Sequence, residues 1–226
     1  MALSGTRTFL WTRDDIITQA YRDINVLGLG DVVTSDMKTE AADLLITMML
    51  SWQNADNFPW TYDDTSLSLG SGTASYTLGS TIIAVRNVFF RDADGNDTHL
   101  EPMTKESYQD ITDKDSAGRP TSYYVDYQLA APILYLYPVY DSTDGTVGYT
   151  RVYRFQDFTD GSTNPDLPAR WYRAIHLNLA VDLAPAWNKN QGSTFTNLVG
   201  AAAAARNEAR VGNAEIAAIQ FHPRMR

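Results

Sequence analysis

Hydrophobic positions along the 226-residue chain follow two rhythms, helical near both ends and strand-like in the middle. Near the start, Thr12 opens T-R-D-D-I-I, where its hydroxyl can cap exposed helix amides and Asp15 can reach back as a shorter relative of the capping-box Glu. A helix is predicted from about Arg13, with Ile16, Ile17, Ala20, Ile24 and Leu27 at helical spacing and Arg13, Gln19, Arg22 and Asp23 on its polar face. Gly28-Leu29-Gly30 supplies its stop. A second helix is predicted to open at Ser35 or Asp36, with Met37, Ala41, Leu44, Leu45, Met48 and Trp52 on one stripe, until N-A-D-N-F-P-W breaks it. These two helices can pair face to face.

From about 62 to 158 the texture changes to short β-branched and aromatic runs: T-A-S-Y-T-L, I-I-A-V-R-N-V-F-F, T-S-Y-Y-V-D-Y, I-L-Y-L-Y-P-V-Y and V-G-Y-T-R-V-Y-R-F. Asp94-Gly95, within D-A-D-G-N-D at 92–97, tolerates the positive φ of a hairpin turn. After the loop F-T-D-G-S-T-N-P-D, Asp166 is expected to cap a third helix with Pro168 in its first turn, running through W-Y-R-A-I-H-L-N-L-A-V-D-L-A and ending near Ala186 under the influence of Pro185. Ser193 or Thr194 is expected to cap a fourth, which takes in Leu198, Val199, the alanines at 201–205, Ala209 and Ile216. Five successive alanines favour a helix and permit close backbone approach.

The expected fold class is therefore α+β. An antiparallel four-helix body, drawn from 1–61 and 159–218, carries an inserted small antiparallel β domain at 62–158 and an extended C-terminal arm at 219–226. That arm, I-Q-F-H-P-R-M-R, alternates apolar anchors with two arginines and suits a segment that orders on a partner.

Hydrophobic residues make up 44% of the chain and charged ones 20%, which fits a folded globular protein. Asp and Glu number 27 against 18 Lys and Arg, for a net charge of −9, so a free-standing DNA-binding module is disfavoured. Without cysteine there is neither a disulfide scaffold nor a thiolate zinc site. No signal peptide or membrane span is expected: the apolar stretch at 174–186 is short and interrupted by Asp182.

Catalytic chemistry finds little footing. The three histidines, His99, His176 and His222, are far apart in sequence; His176, between Ile175 and Leu177, reads as a hydrogen-bonded imidazole on a half-buried helix face, and His99 as an exposed residue after a hairpin. The acidic loop at 92–97 has its glycine at the fourth position and Met103 where a calcium loop needs its twelfth-position Glu. Asp63, Asp64, Asp126 and Asp141 could supply a glycosidase-like carboxylate pair, although a solvated acidic surface explains them more simply. Phosphate-loop, dinucleotide, nucleophile-elbow and zincin patterns are missing, so no enzyme activity and no cofactor are expected. The tyrosines between 123 and 153 could form a stacking platform for sugars or bases, or simply fill a β core and its subunit interfaces.

Three segments carry a family resemblance: I-I-T-Q-A-Y-R-D-I-N-V-L-G at 16–28, A-A-D-L-L-I-T-M-M-L-S-W-Q at 41–53, and L-P-A-R-W-Y-R-A-I-H-L-N-L-A-V-D-L-A-P at 167–185. Their order, two helices, a β insertion and two more helices, resembles the head-to-tail adaptor (connector) proteins of short-tailed bacteriophages, such as the P22 tail accessory factor and the T7-like tubular tail A proteins. The β section looks more like the T7 type. The resemblance implies a structural virion protein of the neck or tail, assembled in the host cytoplasm as a ring of twelve copies and taking part in DNA ejection. Its implied partners are the portal protein, a tail nozzle or tail tube protein, further copies of itself, and the genomic DNA that passes through the channel without sequence-specific binding. A membrane is not among them. The arm would bind the portal through Ile219, Phe221, Arg224, Met225 and Arg226. Acidic residues facing a channel would keep phosphate from sticking. Another neck component is an alternative of the same class, and a carbohydrate-binding or carbohydrate-active protein using the tyrosine-rich section is one of a different class.

Overall fold

The computed structural model describes residues 9–56 and 58–212. The chain is α+β, with five α-helices and two four-stranded sheets among the described residues. It divides into two compact units: Phe58–Arg154, and the residues flanking that stretch on both sides.

In the flanking unit, α1 (Arg13–Asp23) begins with the expected capping box: the Thr12 amide donates to Asp15 Oδ2 at 3.0 Å and the Asp15 amide to Thr12 Oγ1 at 3.2 Å. Loop carbonyls satisfy two further orphan donors, since Arg13 N–H donates to Thr163 O and Asp14 N–H to Gly161 O. Helix α2 (Ser35–Ala55) is capped by Thr34 and buries Ala41, Ala42, Leu45, Met48, Met49 and Trp52, while Met37 and Leu44 of the expected stripe lie half-buried at its edge.

Helices α4 (Tyr172–Leu183) and α5 (Gly192–Val211) start differently from expectation. Asp166 does not cap α4. A 3-10 turn, Ala169–Trp171, precedes the helix, and its bond from Trp171 N–H to Pro168 O occupies an amide that a side chain would otherwise serve. Neither Ser193 nor Thr194 caps α5: Gly192 adopts φ +81°, which lets the backbone turn into the helix after Gln191 and leaves both hydroxyl residues inside its first turn. Helix α4 ends at Leu183, just ahead of Pro185. Ile216, expected in α5, lies outside the described residues.

Helix α4 packs against α1, α2 and α5, and it buries Tyr172, Ala174, Ile175, Leu179, Ala180 and Leu183. The Trp52 and Trp171 rings meet at 5.7 Å. Alanine allows the close α4–α5 seam: Ala202, Ala205 and Ala209 are buried, and Asn178 Nδ2 donates both to Ala174 O on its own helix and across to Ala202 O at 3.1 Å. Ala203 and Ala204, on the other face of α5, are exposed.

In the β unit, β1 (Tyr62–Ser68), β3 (Ile82–Arg91), β4 (Asp97–His99) and β8 (Thr146–Tyr153) form an antiparallel sheet in the order β1-β8-β3-β4. The turn between β3 and β4 carries Gly95 at φ +86°, as the Asp94-Gly95 pair anticipates. The second sheet corrects the expectation of a purely antiparallel domain. Its order is β2 (Ser75–Thr77), β7 (Ile133–Tyr137), β6 (Ser122–Asp126) and β5 (Glu101–Pro102), with β5 and β6 parallel. A parallel step needs a crossover, here the segment that contains the short helix α3 (Lys105–Gln109). Both sheets contribute to one core, including Val85, Val88, Phe90, Leu134, Leu136, Val147 and Tyr149. Val85 and Val88 both point inward because a register shift between Arg86 and Phe89, with Asn87 at φ 49°, absorbs the extra residue.

Candidate functional site

The two described histidines, His176 and His99, come out as a structural and an exposed group. His176 on α4 places Nδ1 2.6 Å from Asp23 Oδ2 at the end of α1, with both side chains mostly buried and the Trp11 ring 5.5 Å away. His99 is exposed on β4, and His222 lies outside the described residues. Among the described residues no group of three or more His, Asp and Glu side chains is placed to hold a metal ion.

Of the four carboxylates singled out in the β unit, Asp63, Asp64 and Asp126 are engaged in local bonds, and Asp141 is exposed with its backbone carbonyl accepting from Ser71 Oγ. Asp63 receives Arg151 at 2.7 Å and Tyr153 at 2.8 Å, and these bonds, Arg151 foremost, hold it below the usual carboxylate range. Asp64 accepts the Thr150 hydroxyl at 2.6 Å. Asp126 accepts from Gln128 and Tyr124 and is likewise held low, chiefly by Gln128. A glycosidase acid needs the opposite shift, toward the protonated form. In the acidic loop, Asp92 accepts the Asn96 amide at 2.8 Å, which is the main cause of its lowered pKa, and Asp97 grips Arg91 through two bonds of 2.6 and 2.7 Å. Those oxygens serve turn and strand pairing.

Of the tyrosines between 123 and 153, Tyr124 and Tyr135 stack on one another. Tyr124 and Tyr135 are cross-strand partners with ring centroids 5.8 Å apart, and Tyr108 of α3 lies 5.7 and 5.1 Å from them. Lys114 Nζ sits 5.7 Å above the Tyr108 ring. In this trio the ring faces are shared among neighbours.

The residues expected to bind a partner, Ile219, Phe221, Arg224, Met225 and Arg226, lie outside the described residues. The structure does define how the preceding helix is anchored. Asp56, just past α2 and only 2% exposed at its side chain, meets Arg206 through Oδ2 at 2.9 Å and Arg210 through Oδ1 at 2.8 Å. The second contact is an ion pair without good hydrogen-bond alignment. The Arg206 guanidinium also lies 4.8 Å over the Trp52 ring. Sequence reasoning missed this cluster, although two arginines four apart share a helix face and so announce a common target. It equally passed over Leu29 and Val32, which are 99% and 81% exposed between α1 and α2.

A family model described as SU10 adaptor protein matches residues 6–221. No curated protein matches. Among solved structures, a chain described as "Neck of empty GTA particle computed with C6 symmetry" aligns at 14% identity with a TM-score of 0.28, covering 77% of this chain and 80% of that one.

Proposed function

The chain belongs to the SU10 adaptor protein family, and from that premise we propose that it is the structural subunit of a ring that joins a phage portal to its tail and forms part of the DNA channel. The observation that carries this reading is the family match over 6–221, which takes in both units. The engaged state of Asp63, Asp64 and Asp126 supports a structural role over a hydrolytic one. In this reading twelve copies assemble in the host cytoplasm and the ring is built into the virion neck. The helical unit acts as the ring wall, in the manner of an antiparallel four-helix body, and a tail nozzle or tube protein docks on the far side from the portal. The net charge of −9 keeps passing DNA from adhering.

The arm supplies the portal contact: Ile219, Phe221 and Met225 provide buried area, and Arg224 and Arg226 pair with carboxylates. Repetition around a ring multiplies such weak contacts. Electron microscopy of the protein mixed with portal rings tests the proposal. The expected image is a second ring seated on the portal, formed by the full chain and abolished by a truncation ending at Ala218 that keeps its circular dichroism. A full-length chain that stays monomeric in the presence of portal overturns the ring, and normal assembly of the truncated chain overturns the role of the arm.

A further inference from the structure

In the helical unit, a hollow of about 250 Å³ opens between the end of α1, the turn after α4 and the first turns of α5. Buried Ile24 and half-buried Phe195 and Leu198 give it an apolar floor. Around the rim stand Asn25, Asn188, Lys189, Gln191 and Thr194. Each is exposed, and among the described residues none of their side chains has a hydrogen-bond or ion-pair partner. The rim is held in place by the backbone. Asn25 and Asn188 take φ 56° and 53°, the left-handed conformation that closes a helix end. Asn25 N–H donates to Arg22 O at 2.9 Å and Val26 N–H to Tyr21 O at 3.0 Å; Asn188 N–H donates to Pro185 O at 3.2 Å and Lys189 N–H to Ala184 O at 2.9 Å. Side chains carried on such turns bind with less ordering cost than those of a loose loop.

The groups on the rim select the ligand. A carboxamide offers a donor and an acceptor together, as a peptide unit does, whereas a phosphate is chiefly an acceptor. Lys189 is a cation without a counterion in a chain of net charge −9. Asp23, the acid on the wall, is already taken by His176 at 2.6 Å and by Gln19 at 2.9 Å. What completes the hollow is therefore a carboxylate, with an apolar side chain beside it for the floor. Ligand pockets start at about 300 Å³, so the space suits one or two residues of a peptide rather than a whole helix.

We propose that this hollow binds an acidic peptide segment of another protein, with an apolar side chain on Phe195 and Leu198 and a side-chain carboxylate on Lys189. The inference goes beyond the ring assembly and does not depend on it. Proton–nitrogen NMR of the full chain tests it, with N-acetyl-leucyl-aspartate amide as the probe. The side-chain amide signals of Asn25, Asn188 and Gln191 are expected to move along one saturating curve. The uncharged N-acetyl-leucyl-asparagine amide should bind about threefold more weakly, as an exposed ion pair implies. Lys189→Met should erase that difference while keeping the thermal midpoint. No saturable shift, equal affinity for both peptides in the unmodified chain, or a preference that survives Lys189→Met overturns the site. Inorganic phosphate that moves the same signals as strongly as the acidic peptide overturns it too. So does a shift of those signals on concentrating the protein alone, which would give the hollow to a second copy.

Discussion

Asp56 ends α2 as an almost fully buried carboxylate between two guanidiniums, and both of those remain partly solvated, with side chains 28% and 51% exposed. Removing one partner of a fully buried pair costs about 3–5 kcal/mol. Because the orphaned arginines can hydrate here, Asp56→Asn is expected to lower the unfolding free energy by about 2 kcal/mol, read from urea denaturation. Asp14 offers a second test at this scale. Burial pushes its carboxyl up, but bonds to Lys38 at 2.7 Å and Arg13 at 3.0 Å outweigh that, and its pKa is lowered. A depressed carboxylate contributes stability above its unfolded pKa and loses it as pH falls through the folded one. The acid limb of the stability curve should therefore be shallower in Lys38→Met than in the unmodified protein below about pH 4; parallel limbs would count against the pair.

Among the elements, the α4–α5 seam depends on small side chains. Ala205→Leu inserts bulk where the helices meet and is expected to cost about 1–3 kcal/mol, whereas Ala203→Leu on the exposed face should stay within about 0.5 kcal/mol; equal effects in thermal unfolding would contradict the seam. The same scale shows what the sequence allows to be read. Thr12 and Asp15 announced the start of α1 because a capping box is a local signal carried by two side chains. The starts of α4 and α5 were misread because backbone geometry, a 3-10 turn after Pro168 and a positive φ at Gly192, did the work expected of Asp166 and of Ser193 or Thr194. Strand β5 and helix α3 are too short for periodicity to reveal, and they owe their form to pairing with β6 and to the Thr104 cap. The Asp56 cluster joins residues 150 positions apart, a separation that local reading does not span.

For the whole molecule, the helical unit is interrupted in sequence by Phe58–Arg154. We propose that the β unit is an insertion: excising 58–154 behind a Gly-Ser bridge should leave the far-ultraviolet helical signal largely in place, and its complete loss would refute the idea. The first and last strands of the β unit are neighbours, with Tyr62 opposite Val152, so once that unit has folded its two ends lie about one strand spacing apart, ~4.8 Å. That pairing has a kinetic consequence. During synthesis α1 and α2 emerge with their apolar faces waiting for α4, and the intervening chain must close before Trp52 can meet Trp171. The closure entropy rises with the logarithm of loop length, and the β1–β8 ladder replaces a long flexible loop by a short rigid one. Refolding should therefore proceed β unit first, with tryptophan burial in the helical unit as the late event, and any lesion in the β1–β8 ladder should delay the helices as well.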